Sequence, residues 1–144
     1  MRIVVQKVNS SSVIVDNKVV GKINKGLMLL VGFTEGDNSD IIDHMVKKVL
    51  ALRIFDDENH VMNKSIMDVG GSILSISQFT LYGDATKGNR PSYIKALKSE
   101  EAIKLYDEFN KKLSDSIHVE TGIFGADMTV NIENEGPTTI ILER

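Results

Sequence analysis

The chain has 144 residues, a formal net charge of −3 and no cysteine. That length suits one domain, and the missing cysteines exclude disulfides, thiolate nucleophiles and Cys-ligated zinc. A mildly acidic chain is also a poor non-specific coat for nucleic acid, so any nucleic-acid contact is expected to be local.

In chain order, residues 2–8 alternate as a strand. Residues 13–15 and 18–23 read as a hairpin around Asp16-Asn17, because Asn tolerates the positive φ of tight hairpin turns. Residues 26–33 form a nearly continuous apolar run, as in a strand buried on both faces. The run is strand length and too short to cross a bilayer. Asp37-Asn38-Ser39 can cap a helix over about residues 40–52, whose Ile42, Met45, Val46, Val49 and Leu50 share a face. A strand is expected over about 72–82. A second helix starts at Ser99, a candidate cap, with Glu100 and Glu101 suiting the N-terminal dipole; its stripe is Ala102, Leu105, Tyr106, Phe109 and Leu113. Two late strands, about 127–133 and 138–143, flank Glu135-Gly136-Pro137. The order predicts one α+β domain over residues 1–144, with two main helices on a curved, mainly antiparallel sheet or open barrel. The first residues lack the long apolar stretch and cleavage site of a signal peptide, so a cytoplasmic protein without membrane contact is expected.

Three segments carry candidate chemistry. Ser77-Gln78-Phe79-Thr80-Leu81 places polar side chains in an apolar strand, where they need partners or serve only as strand residues with local hydrogen bonds. As a strand it would put Gln78 and Thr80 on one face, Ser77 and Phe79 on the other. Gly122-Ile123-Phe124-Gly125-Ala126-Asp127-Met128 permits close backbone approach, as a ligand wall or as a tight turn into a strand. Asn134-Glu135-Gly136-Pro137-Thr138-Thr139 is first a turn signal. His44, His60 and His118 lack metal-ligand spacing, and no metal site or cofactor is expected. Lys87, Arg90, Lys95 and Lys98 have no acid between them, which fits a solvated loop or a local RNA contact.

Together these segments are far more specific than any one. Ser-Gln-Phe-Thr-Leu-Tyr-Gly-Asp at 77–84, Lys-Gly-Asn-Arg-Pro-Ser at 87–92, Gly-x-Phe-Gly-Ala-x-Met at 122–128 and Asn-Glu-Gly-Pro-Thr-Thr at 134–139 resemble the D-aminoacyl-tRNA deacylase family. The likeness spans the chain and includes Leu52-Arg53-Ile54-Phe55, Met62-Asn63 and Asp68-Val69-Gly70-Gly71. It implies a homodimer of barrel-like α+β domains with shared active sites, and hydrolysis of the ester between tRNA and a D-amino acid. The Gly136-Pro137 bond is cis in the family, and that loop reaches the other subunit's site as the chiral filter. Ser77, Gln78, Phe79 and Thr80 would flank the scissile ester. Phe124, Gly125, Ala126 and Met128 would line the pocket, and Lys87 and Arg90 would contact tRNA. Two positions depart from the family pattern. Lys7 stands where Arg is common, and a point charge replaces a bidentate fork. Asn89 replaces one of two adjacent arginines.

An aminoacyl ester is already activated, so positioned donors for the developing oxyanion go far toward catalysis. Backbone N–H groups around Gln78 to Thr80 are the candidates. Thr80 is the available side-chain nucleophile, but no activating base accompanies it. The alternative, favoured by the resemblance, is activation of water by the 2′-hydroxyl of the terminal ribose. Chirality would come from excluding an L side chain, so glycine would escape rejection and glycyl-tRNA could also be cleared.

Overall fold

The computed structural model describes residues 1–144. Its strands are β1 (Arg2–Val15), β2 (Lys18–Ile23), β3 (Gly26–Gly32), β4 (Phe55–Asp56), β5 (Met62–Lys64), β6 (Ser72–Ser77), β7 (Val119–Thr121) and β8 (Thr129–Glu143). The two α-helices are α1 (Ser39–Ala51) and α2 (Ser99–Ser114), and a single 3-10 turn covers Phe79–Tyr82.

The main sheet runs β2-β1-β3-β6-β7, with β8 on the other edge of β1. β1 pairs antiparallel with β2, β3 and β8, whereas β3–β6 and β6–β7 are parallel. The sheet is therefore mixed. It curls until β2 approaches β7: a Cβ on Gly21 would lie 2.7 Å from the Thr121 carbonyl oxygen. β4 and β5 form a separate small hairpin.

Apolar patterning divides the interior into two packed regions. Ile3, Val5, Leu27, Leu29 and Val31 face α1 and α2, meeting Ile42, Met45 and Val49 from one helix and Tyr106, Phe109 and Leu113 from the other. Met28, Leu74 and Ile76 point the opposite way and join Val8, Val13 and Ile23 inside the curl. β3 is thus buried on both faces, as its unbroken apolar run requires. Each fully buried Leu or Ile contributes roughly 1.5–3 kcal/mol. No helix is long and apolar enough to cross a membrane.

Four local expectations change. β1 is one strand where two were expected, because the polar residues 10–12 stay in the ladder. The Ser11 hydroxyl donates to the Asn131 carbonyl at 2.7 Å, and Ser10 donates to Glu133 at 2.9 Å. The late strands are likewise one strand, β8, in which residues 135–138 bulge out opposite Lys7. β6 stops at Ser77, and residues 79–82 turn away as a 3-10 helix, so Gln78 and Thr80 do not alternate along a strand. Ser99 begins α2 without capping it; the cap position belongs to Lys98, which makes no side-chain cap bond. At α1 the expected cap forms, with the Asn38 side chain accepting from the N–H groups of Asp40 and Ile41. Asp16 and Asn17 have φ of 48° and 62°, as the tight hairpin demands.

Candidate active site

Where β6 ends, the Gln78 N–H still donates to the Val31 carbonyl at 2.7 Å, continuing the ladder for one residue. Gln78 itself is non-helical, at φ −148° and ψ 89°, and the chain then tightens into the 3-10 turn, closed by Gly83 N–H donating to Thr80 at 2.9 Å. The turn buries none of its residues, and Gln78 at its cap position makes no side-chain cap bond. The N–H groups of Phe79 and Thr80, which begin the turn, have no acceptor within it. The Gln78 side-chain amide donates instead to the Thr80 hydroxyl.

Beside this turn lies a cavity of 630 Å³ lined by Ser77, Gln78 and Phe79. Phe79 is exposed and meets Tyr93 edge to face, with ring centroids 5.1 Å apart. The opposite wall is Phe124, Gly125, Ala126 and Met128. Gly125 adopts φ 76°, which a side chain disfavours, and the tight turn there closes through Ala126 N–H donating to Ile123 at 3.2 Å. Phe124 is held from behind by Tyr106 at 5.8 Å between centroids, and the buried Tyr106 hydroxyl donates to the Ser75 carbonyl at 2.7 Å. Burial raises the Tyr106 pKa, so its phenol stays a protonated donor. The start of α2 supplies the third wall, through Leu97, Lys98, Ser99 and Ala102.

Seven of the sequence-predicted residues therefore meet in one cavity: Ser77, Gln78, Phe79, Phe124, Gly125, Ala126 and Met128. Thr80 lies on the adjoining turn outside the lining, exposed, and its hydroxyl bonds only to Gln78. Gly136 and Pro137 lie outside the cavity on the β8 bulge and are exposed. Their peptide bond is cis, and Gly136 has φ 110°. The bulge is pinned by Asn134, whose amide donates to the carbonyls of Lys7 at 2.8 Å and Thr138 at 3.2 Å. Lys7 is buried beneath it. Lys87 and Arg90 are exposed on the loop between Asp84 and Ser92 and form no ion pair, whereas Lys95 pairs with Asp84 at 3.2 Å.

Sequence reasoning missed Tyr93, Leu97, Lys98, Ala102 and Asp127 as cavity residues. Tyr93 and Lys98 carried a usable signal, an aromatic and a cation in the short run that leads into α2. Asp127 and Lys98 are the ionic groups of the lining, and no histidine reaches it. The chemistry on offer is thus an ester-sized cavity beside free N–H donors, without a side-chain triad.

A family model described as D-Tyr-tRNA(Tyr) deacylase matches residues 4–143. A Clostridium tetani protein named D-aminoacyl-tRNA deacylase is 55% identical over 99% of this chain and 97% of its own length. A Limosilactobacillus reuteri protein of the same name is 54% identical over the whole of both chains. Among solved structures, the "c-Myc DNA Unwinding Element Binding Protein" superposes with a TM-score of 0.95 at 39% identity, covering 100% of this chain and 99% of that one. A "probable eukaryotic D-amino acid tRNA deacylase" shares the fold with a TM-score of 0.81 at 21% identity, covering 98% of this chain and 97% of that one. With a match from near its first residue to near its last, the chain belongs to the D-Tyr-tRNA(Tyr) deacylase family.

Proposed function

We propose that this protein hydrolyses the ester of D-aminoacyl-tRNA, D-tyrosyl-tRNA for example, releasing free D-amino acid and tRNA in the cytoplasm. The observation that carries the reading is the convergence of two motifs distant in sequence, Ser77–Phe79 and Phe124–Met128, on one cavity beside the unpaired N–H groups that open the 3-10 turn. Family membership supports it. The carbonyl oxygen of the ester sits against the N–H groups of Phe79 and Thr80, which stabilise charge as it develops on that oxygen. Water is the nucleophile. Thr80 has no base to activate it, since its hydroxyl is bonded only by the Gln78 amide. The substrate's own ribose 2′-hydroxyl is then the group that activates or positions the water. Lys87 and Arg90, exposed and unpaired, meet the tRNA backbone.

Discrimination falls to Gly136 and Pro137. Both are exposed and lie outside the cavity of their own subunit, so they reach an ester in the cavity of a second copy. There they close the side that an L side chain must occupy. Glycine has nothing to exclude, and glycyl-tRNA is cleared as well.

The test is incubation with D-tyrosyl-, L-tyrosyl- and glycyl-tRNA. Release of D-tyrosine and glycine with L-tyrosyl-tRNA intact is the expected result. Equal release of both tyrosine enantiomers would make the protein a general esterase, and release of none would leave a nucleic-acid-binding module.

A further inference from the structure

The turn that carries the candidate oxyanion donors is exposed, four residues long and contributes nothing to the core. Its rigidity must come from outside. Apart from the adjoining Gln78, one side chain hydrogen-bonds to residues 79–82: the Arg2 guanidinium, whose Nη1 donates to the Leu81 carbonyl. The same guanidinium lies 4.9 Å from the centroid of the Tyr82 ring. It is itself fixed by Glu143, with Nε at 2.6 Å and Nη2 at 2.5 Å from one carboxylate oxygen. Arg2 sits across the sheet from both Gly32 and Glu143, at the end where β1, β3 and β8 finish together. The turn rests directly on Gly32, where a Cβ would come within 2.9 Å of the Gln78 carbonyl oxygen and 3.2 Å of the Leu81 Cβ.

We propose that Arg2 is a positioning residue for the reaction: braced by Glu143, it clamps the Phe79–Tyr82 turn onto Gly32 and holds the Phe79 and Thr80 N–H groups in register with the ester. Three contacts converge on one planar group, which only an arginine fork can supply at once. The ring of Tyr82 adds a cation–π contact and shields one face of the guanidinium from water. Tyr82 takes no part as an acid, because burial pushes its pKa up to about 12. The inference rests on placing the ester at Gln78–Thr80, as proposed above.

The test compares Arg2→Ala, Arg2→Lys, Glu143→Gln and Phe79→Pro in the full-length protein. It reads kcat and KM on D-tyrosyl-tRNA, together with fluorotyrosine NMR. Arg2→Ala is expected to lower kcat by about ten- to a hundredfold, the scale of a small misplacement, while KM changes little. Arg2→Lys restores part of the loss, since an ammonium can meet Leu81 or Glu143 but not both. Glu143→Gln falls between the wild type and Arg2→Ala. The Tyr82 resonance moves in Arg2→Ala and that of buried Tyr106 does not. Wild-type kcat in Arg2→Ala alongside a slow Phe79→Pro would overturn the clamp alone. Movement of Tyr106 together with Tyr82 would also overturn it, by showing a general loosening. Wild-type kcat in Phe79→Pro would instead remove the ester from this turn, and the clamp with it.

Discussion

Phe79 lines the cavity with an exposed ring and, in the proposed reaction, also offers its main-chain N–H, and substitution can remove the two one at a time. Gln78 before it, at φ −148° and ψ 89°, lies outside the α region that a following proline disfavours. Phe79 is the first residue of its turn, where a proline costs no internal hydrogen bond. Phe79→Pro therefore deletes a single donor and the ring while leaving the turn in place, and Phe79→Ala deletes the ring alone. If the N–H stabilises the oxyanion, Phe79→Pro loses about 10²–10³ in kcat on D-tyrosyl-tRNA and Phe79→Ala loses far less. Equal losses in the two variants would assign the effect to the ring. The side-chain hydroxyl of Thr80 is the weaker candidate for chemistry, because nothing in contact with it can take its proton.

At the scale of elements, the loop from Asp84 to Ser92 that carries Lys87 and Arg90 is organised by one carboxylate. The backbones of Asp84 and Ser92 exchange hydrogen bonds of 2.8 Å each way, and the Asp84 side chain accepts from the Thr86 N–H at 3.0 Å, the Thr86 hydroxyl at 2.7 Å and Lys95 at 3.2 Å. Bonds from Thr86, then from Lys95, lower the Asp84 pKa from 3.8 to about 2. A depressed value contributes order above the unfolded pKa and loses it as pH falls through the folded one. The tether is thus complete from neutrality down to about pH 4 and fails only near pH 2. An NMR titration of the Asp84 carboxyl is expected to have its midpoint near 2, and a midpoint at the ordinary 3.8 would show that the loop is untied. Both helices and β3 were legible in the sequence because apolar period and run length decide such elements. The ends of β6 and β8 were not. Ser77 to Leu81 scans as strand, yet a 3-10 turn begins at Phe79, where tertiary contacts with Gly32 and Arg2 outweigh propensity. Gly136-Pro137 scans as a turn between strands, but β1 is long enough to pair on both sides of it, which makes it a bulge in one strand. The family resemblance, not residue pattern alone, pointed to residues 77–80, 124–126 and 128 as pocket walls, and of these Thr80 lies outside the cavity; Leu97 and Ala102 needed the fold to bring them there.

For the whole molecule, the open question is what covers β8. This strand of 15 residues pairs only with β1, so its outer edge keeps free N–H and C=O groups, and Ile141 and Ile132 stand 63% and 39% exposed on it. Long uncovered edges invite pairing with another chain. The Gly136-Pro137 bulge leaves from this same strand, exposed and outside its own cavity, and the Glu135 carboxylate beside it keeps one buried oxygen without a partner. A symmetric homodimer in which each bulge enters the other subunit's cavity answers all three observations, and light scattering is expected to report a dimer. Shared sites have a sharper consequence than dimerisation itself. In Gly136→Val a Cβ would lie 2.7 Å from the Thr138 hydroxyl at a φ of 110°, so the bulge must rebuild, and its added side chain is expected to obstruct the site it enters to either enantiomer. Phe79→Pro disables the cavity side instead. In a heterodimer of these two variants, exchange across the two-fold axis puts both lesions in one site and leaves the other with an intact cavity and an intact bulge. Co-expression with two affinity tags, followed by sequential purification, isolates that heterodimer. Each homodimer alone should be inactive on D-tyrosyl-tRNA, and the heterodimer should recover about half the wild-type rate. If every cavity were served by its own subunit's bulge, each site would carry one lesion and the heterodimer would be as dead as its parents.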